Sequence, residues 1–318
     1  MTRSTCRGIR ERARPDGQRC GWLAGVLAGL LPLTLIASTA GSLAGCIDDP
    51  QETATVPLRL AGTSVDSRFP GTSGWTIQLD TAELAFGPLY LCAGAQAGEL
   101  CDTARAEWLD SAVVDVLSPT PVAVGELQGV TGPVRSWMYD LGIVSLLTRQ
   151  EPLALDAAEK LGGNSLRLVG TATRDSDAVP FTAELAIRQE EGNERGVSVV
   201  RKASNDPFDH EIIGSGEQLT VTFDARPWLS AIEFERFVDD GSCVAGGPAL
   251  VCSGSLEQTC AADGQVESTR ECGDTGDICV PGAGCVDRVR VAPDSQAQRA
   301  IRNQVTAGQR PVFEFLAL

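Results

Sequence analysis

The sequence predicts a mainly β protein, an antiparallel sandwich of jelly-roll type with few short helices and a small disulfide-rich module. Three observations predict it. From residue 56 onward, apolar and polar residues alternate with period two in run after run. Gly, Pro, Asn and Asp separate these runs, and no regular helical pattern intervenes. Six cysteines fall within residues 243–285, in a stretch rich in Gly, Asp and Ser.

The runs can be taken in order. Trp75, Ile77 and Leu79 alternate with Thr76, Gln78 and Asp80. Leu84–Leu91, Ala112–Leu117, Arg135–Leu141 and Val197–Lys202 read as further strands. Leu166 and Leu168 share a face with Gly170 and Ala172, and Phe181, Ala183, Leu185 and Ile187 share another. Leu219, Val221 and Phe223 face one way, with Thr220, Thr222 and Asp224 opposite. One apolar and one wet face per strand is the pattern of antiparallel sheets. In Ser136–Asp140, Trp137 and Tyr139 would share a face and Met138 the other. Short helices are expected at Asp156–Leu161, at Pro227–Phe234 with proline in its first turn, and at Ser295–Thr306 with Asp294 as cap and Gly308 after the end. PVFEF (311–315) alternates again and returns to a sheet.

The N-terminus has a different texture. Residues 1–20 carry six arginines, and residues 21–45 carry no charge. A basic region, an apolar region and a small-residue exit are the parts of a secretory signal. Leu43-Ala44-Gly45-Cys46 resembles a bacterial lipobox, which implies cleavage before Cys46 and a diacylglycerol on its thiol. Ordinary cleavage after Ala40 and an uncleaved anchor are the rival readings. Ile47 after the lipid cysteine, by analogy with enteric bacteria, implies the outer membrane. The expected organisation is therefore a lipoprotein signal peptide over 1–45 and a tether over 46–55. A β-sandwich domain then spans 56–240 and 286–318, with a cysteine-rich insertion at 241–285; a second domain running to the C-terminus is the alternative.

Without residues 1–45 the chain has 20 basic and 40 acidic residues. So acidic a body is repelled by phosphate backbones, so no nucleic-acid partner is expected. The expected partner is the membrane, through the lipid, with a protein or glycan partner beyond it. Of eleven cysteines, Cys6 and Cys20 leave with the signal and Cys46 takes the lipid. Eight remain, which an exported chain oxidises to four disulfides. Cys92 pairs with Cys101 across AGAQAGEL. Cys243, Cys252, Cys260, Cys272, Cys279 and Cys285 allow 15 pairings, among which the sequence does not choose.

Chemistry is sparse. His210 is the only histidine. With Asp206, Asp209 and Glu211 it forms a candidate metal or acid–base cluster, weighed against ordinary solvated charges on a turn-rich loop. No C-x-x-C, G-x-S-x-G, G-x-G-x-x-G or Walker-type loop occurs, so no catalytic residue and no cofactor is assigned. Paired carboxylates of a glycosidase kind remain an alternative, as do Trp75, Trp108, Trp137 and Trp228 as a sugar platform.

LAFGPLYLCAG (84–94), Trp137-Met138-Tyr139-Asp140 and RPVFEF (310–315) resemble lipoproteins of GC-rich Gram-negative bacteria that carry no assigned activity. VTFDARPWLSAIEF (221–234) is similar in rhythm to periplasmic β-sandwich proteins associated with copper acquisition, although this chain has a single histidine. The function expected is a membrane-anchored binding, adhesion or assembly module. A β-sandwich hydrolase or a metal-binding accessory protein is the alternative.

Overall fold

The computed structural model describes residues 52–63, 68–95, 101, 104–144, 152–188, 199–201, 208–214, 216–238, 241–273 and 277–318. Along the chain run β1 (Thr53–Gly62), β2 (Arg68–Pro70), β3 (Thr76–Phe86), β4 (Leu89–Cys92), β5 (Ala104–Trp108), β6 (Ala112–Asp115), β7 (Val122–Val130), β8 (Gly132–Val134) and β9 (Ser136–Tyr139). Next come β10 (Ile143–Val144), β11 (Leu153–Ala154), α1 (Asp156–Lys160), β12 (Leu166–Arg174), β13 (Asp177–Leu185), β14 (Val200–Arg201), β15 (His210–Ile212), β16 (Glu217–Phe223) and α2 (Arg226–Leu229). The module holds β17 (Leu250–Ser253), β18 (Leu256–Cys260), β19 (Val266–Glu271), β20 (Ile278–Val280) and β21 (Gly284–Val286). β22 (Val289–Arg290), α3 (Gln296–Ala307) and β23 (Val312–Ala317) complete the chain.

The protein is mainly β. One sheet has the order β14-β9-β4-β5-β7-β1-β16-β23, and a second has β2-β3-β12-β13-β22 with β6 on β3. Pairing is antiparallel apart from two parallel pairs, β1 with β16 and β13 with β22. These two were not expected from alternation, because a parallel neighbour leaves the inward and outward positions unchanged.

The larger sheet is curled. β9 and β23 lie six strands apart in it, a separation of roughly 29 Å in a flat sheet. Yet Trp137 of β9 stacks on Phe313 of β23 with ring centroids 5.0 Å apart and planes 18° apart. The sheet therefore wraps until β9, next to the edge strand β14, meets the opposite edge strand β23 through side chains. Trp137 and Tyr139 also stack on each other at 5.5 Å, and Arg310 lies 5.6 Å over the Trp137 ring. The alternation expected at Ser136–Asp140 is correct: Trp137 and Tyr139 share the inner face, and Met138 is buried on the other.

Val56, Leu58, Leu60, Leu127, Leu219 and Val221 of the curled sheet share one buried core with Ile77, Leu84, Leu166, Leu168, Phe181 and Leu185 of the second sheet. The close approach of β5 and β7 explains a glycine that obscures β7 in the sequence. A Cβ on Gly129 would lie 1.9 Å from the Arg105 carbonyl oxygen, so only glycine fits there.

Several boundaries differ from expectation. β1 begins at Thr53, inside the stretch read as tether, and Glu52 already hydrogen-bonds Thr131. The run Leu84–Leu91 is two strands in different sheets, broken at the cis peptide Gly87–Pro88. Of Arg135–Leu141, β9 covers Ser136–Tyr139, and Arg135 separates it from β8. Of Val197–Lys202, only Val200–Arg201 is a described strand. Pro227–Phe234 is no continuous helix: α2 ends at Leu229, and a 3-10 turn starts at Phe234. The cap of α3 is Ser295, whose hydroxyl accepts the Gln298 N–H at 3.1 Å; Asp294 stands one residue before it at φ 59°. Among the described residues no helix is long and apolar enough to cross a membrane.

Candidate functional site

His210, the only histidine of the sequence, has a different setting from the acidic cluster expected around it. It opens β15, which pairs with β8, and its side chain is half-buried. Its Nε2 lies 2.7 Å from Oε2 of Glu217, the first residue of β16. Its ring stacks on Phe315 of β23 at 3.6 Å, with planes only 8° apart. Glu217 is buried, and its Oε1 accepts the Ile213 N–H at 3.1 Å. The Glu217 carboxylate thus bridges a side chain and a backbone amide, holding the β15–β16 turn against the last strand.

The neighbours expected for His210 do not gather on it. Asp209 is exposed and pairs with Arg135, and Glu211 points to solvent; Asp206 lies outside the described residues. The one acid that reaches His210, Glu217, was not in the expected cluster. It sits in the alternating run before Leu219 and reads there as an ordinary strand residue. A strand reverses its side chains at every residue, so Asp209 and Glu211 flank His210 but face away from it.

The aromatic series does not stop at Phe315. Phe208 contacts Phe315 at 6.1 Å and Phe313 at 5.9 Å, and Phe313 leads to Trp137 and Tyr139. Tyr139 and Phe86 are 5.2 Å apart. These rings fill the seam where the curled sheet meets itself. Trp75, Trp108, Trp137 and Trp228 are all buried, which removes them as an exposed sugar platform.

A small notch, partly open to solvent, is lined by Tyr139, Phe223, Trp228 and Val305 with Asp224 at its wall. Asp224 is fully engaged: Arg226 donates from Nε at 2.9 Å and from its backbone N–H at 3.0 Å. Burial alone would raise the Asp224 pKa, but the Arg226 guanidinium and amide outweigh it and hold the carboxyl below its ordinary range. On β4, burial pushes the Tyr90 hydroxyl up, reinforced by the nearby Asp140 and Glu107 carboxylates. Asp140 is itself buried and accepts the Val199 N–H at 2.8 Å, so it is not presented to a substrate.

The cysteines pair as four disulfides: Cys92–Cys101, Cys243–Cys260, Cys252–Cys279 and Cys272–Cys285. The first is the bond expected from the sequence, and the others select one of the fifteen arrangements. Cys252–Cys279 ties the β17–β18–β19 sheet to the β20–β21 hairpin, and Cys272–Cys285 ties the end of β19 to the same hairpin. Glu257 lies with the Cys272 and Cys285 sulfurs in a group whose ligand atoms are all within 4.8 Å. Both sulfurs are bonded to each other, and Glu257 Oε2 accepts the Cys285 N–H at 2.7 Å, so the group serves the hairpin. Cys46 lies outside the described residues.

No protein-family profile matches this chain, and no curated protein matches it. Among solved structures, MbnP from Methylosinus trichosporium aligns with 54% of this chain and 76% of its own, at 11% identity and a TM-score of 0.27. A likeness that slight carries no functional inference.

Proposed function

We propose that the chain is an exported lipoprotein of a Gram-negative cell envelope, anchored by acyl chains on Cys46, whose β-sandwich presents the cysteine-rich module to a protein or glycan partner. The supporting observation is topological. β1 starts at Thr53, and β16 runs parallel to it, so β16 ends at the opposite end of the sheet. From there the chain passes through α2 and a 3-10 turn into the module at Gly241. The start of β1 and the exit from β16 toward the module thus lie at opposite ends of the curled sheet. All eight body cysteines are paired, as suits an oxidising compartment.

Detergent-phase partition of the wild type and of Cys46→Ser tests the anchor. The wild type should enter the detergent phase and the outer-membrane fraction, and Cys46→Ser should leave both. A photo-crosslinking residue at the exposed Val266 of β19, compared with one at the exposed Glu126 of β7, tests the display. Adducts in cells are expected from position 266 and not from 126. Equal yields from both would remove the module as the binding surface.

A second reading, a metal-binding accessory protein, draws on His210 beside Glu217. It requires further ligands, because the described acids flanking His210 face elsewhere. Titration with copper(II) and zinc(II) decides it: the reading stands only if binding is lost in His210→Ala.

A further inference from the structure

The end of the curled sheet where β1 begins is built from a recognisable set of residues. Thr53 pairs with Val130, and Thr131 donates its N–H to the Glu52 carbonyl at 2.8 Å. Gly214 lies against Thr131, with 3.9 Å from an ideal Cβ to the threonine methyl. Glu217 pairs with Ala317, and Leu318 donates its N–H to the Gly216 carbonyl at 2.8 Å. Ile213 and Leu318 therefore flank the same two glycines, beside Glu52. They are the two most exposed large apolar residues of the described chain, at 76% and 72%, and Leu316 adds 39%.

Five residues separate Cys46 from Glu52, and the six peptide steps between them reach at most roughly 20 Å. β1 is ten residues long and spans about 33 Å. A lipid on Cys46 therefore keeps the β1 start within reach of the bilayer surface. The opposite end, with the exposed Val122 and Val312 level with Leu60 and Ala61 of β1, lies most of a strand length further away. Apolar side chains beside a lipid tether gain from entering the interfacial region, and each adds to the anchoring of the acyl chains.

We infer that this end of the sandwich lies against the bilayer, with Ile213 and Leu318 in the interface and the cysteine-rich module held away from it. The inference rests on the lipoprotein reading above. The test uses the full lipidated chain in vesicles of zwitterionic phosphatidylcholine, with and without brominated acyl chains. Flotation comes first: the parent should float with vesicles and Cys46→Ser should not. A parent that fails to float removes the anchor, and this surface with it. In a floating protein, the Ile213→Trp variant should be quenched by brominated lipid severalfold more than Val266→Trp, whose reporter stands on β19. Leu318→Trp is the second reporter at the tether end, should Ile213→Trp not fold. Equal quenching at both ends, or none at the tether end of a protein that floats, overturns the surface while leaving the anchor intact.

Discussion

The sandwich and the cysteine-rich module keep their shape by different means. In the sandwich one continuous apolar core joins both sheets, and the curled sheet is closed by the Trp137–Phe313 stack. In the module the buried cluster consists of Cys252, Cys272 and Cys279, and all six residues of β19 are exposed. Its apolar residues Ile278, Val280 and Val286 pack against the core of the sandwich rather than forming one of their own. A domain that buries apolar surface can hold itself with non-covalent contacts, whereas forty-odd residues with little to bury need covalent links. The two regions are therefore vulnerable in different ways, the sandwich to cavities and the module to reduction.

The largest effect should come from the seam. Trp137→Ala removes a buried ring that touches both ends of the curled sheet, and such truncations cost about 3–5 kcal/mol. The whole sandwich should melt earlier, as read by calorimetry and far-UV circular dichroism. A local effect with an unchanged main transition would mean that the sheet does not depend on closure.

Next in size is the Cys252→Ser, Cys279→Ser pair. Its loop joins residues 27 apart and links the module's sheet to its hairpin. Removing it should cost about 2–5 kcal/mol, confined to the module. Hydrogen exchange should rise across 243–285, while the near-ultraviolet dichroism of the four buried tryptophans of the sandwich is retained. Loss of the tryptophan signal would break the comparison, because it would make the two regions one cooperative unit.

A smaller effect is expected at Glu217. Glu217→Ala leaves His210 Nε2 and the Ile213 amide without their shared partner, at a cost of about 1–3 kcal/mol. Faster exchange of the Ile213 amide would locate the loss. The smallest effect concerns pH. Because Asp224 is held below its ordinary range, its contribution is present above the unfolded carboxyl pKa, about 3.9, and fades as pH falls through the folded value. Asp224→Asn should flatten that part of the acid limb, below about pH 4. An acid limb identical to wild type would contradict the Asp224–Arg226 assignment.

The sequence carried the sandwich further than it carried the site. Alternation reports which face of a strand is buried, so β3, β12, β13, β16 and the Trp137–Tyr139 face were legible. It does not report pairing partners, so the parallel β1–β16 pair and the curl that joins β9 to β23 were not. β7 was hidden because Gly125 and Gly129 interrupt its apolar pattern, and Gly129 is there because a neighbouring strand leaves no room for a Cβ. Counting cysteines gave the Cys92–Cys101 bond, since no other cysteine lies near them in sequence. The six later ones needed three-dimensional proximity. His210 was legible as the one imidazole, but its partner Glu217 comes from the next strand. Sequence neighbours such as Asp209 and Glu211 are turned away by the β pleat.

That the chain is exported, processed and fully oxidised is tested most directly by one non-reducing peptide map of the protein isolated from the cell envelope. The predicted result is a first residue at Cys46 carrying acyl mass, with the body cysteines linked 92–101, 243–260, 252–279 and 272–285. A first residue elsewhere, or free thiols among the eight body cysteines, would contradict it.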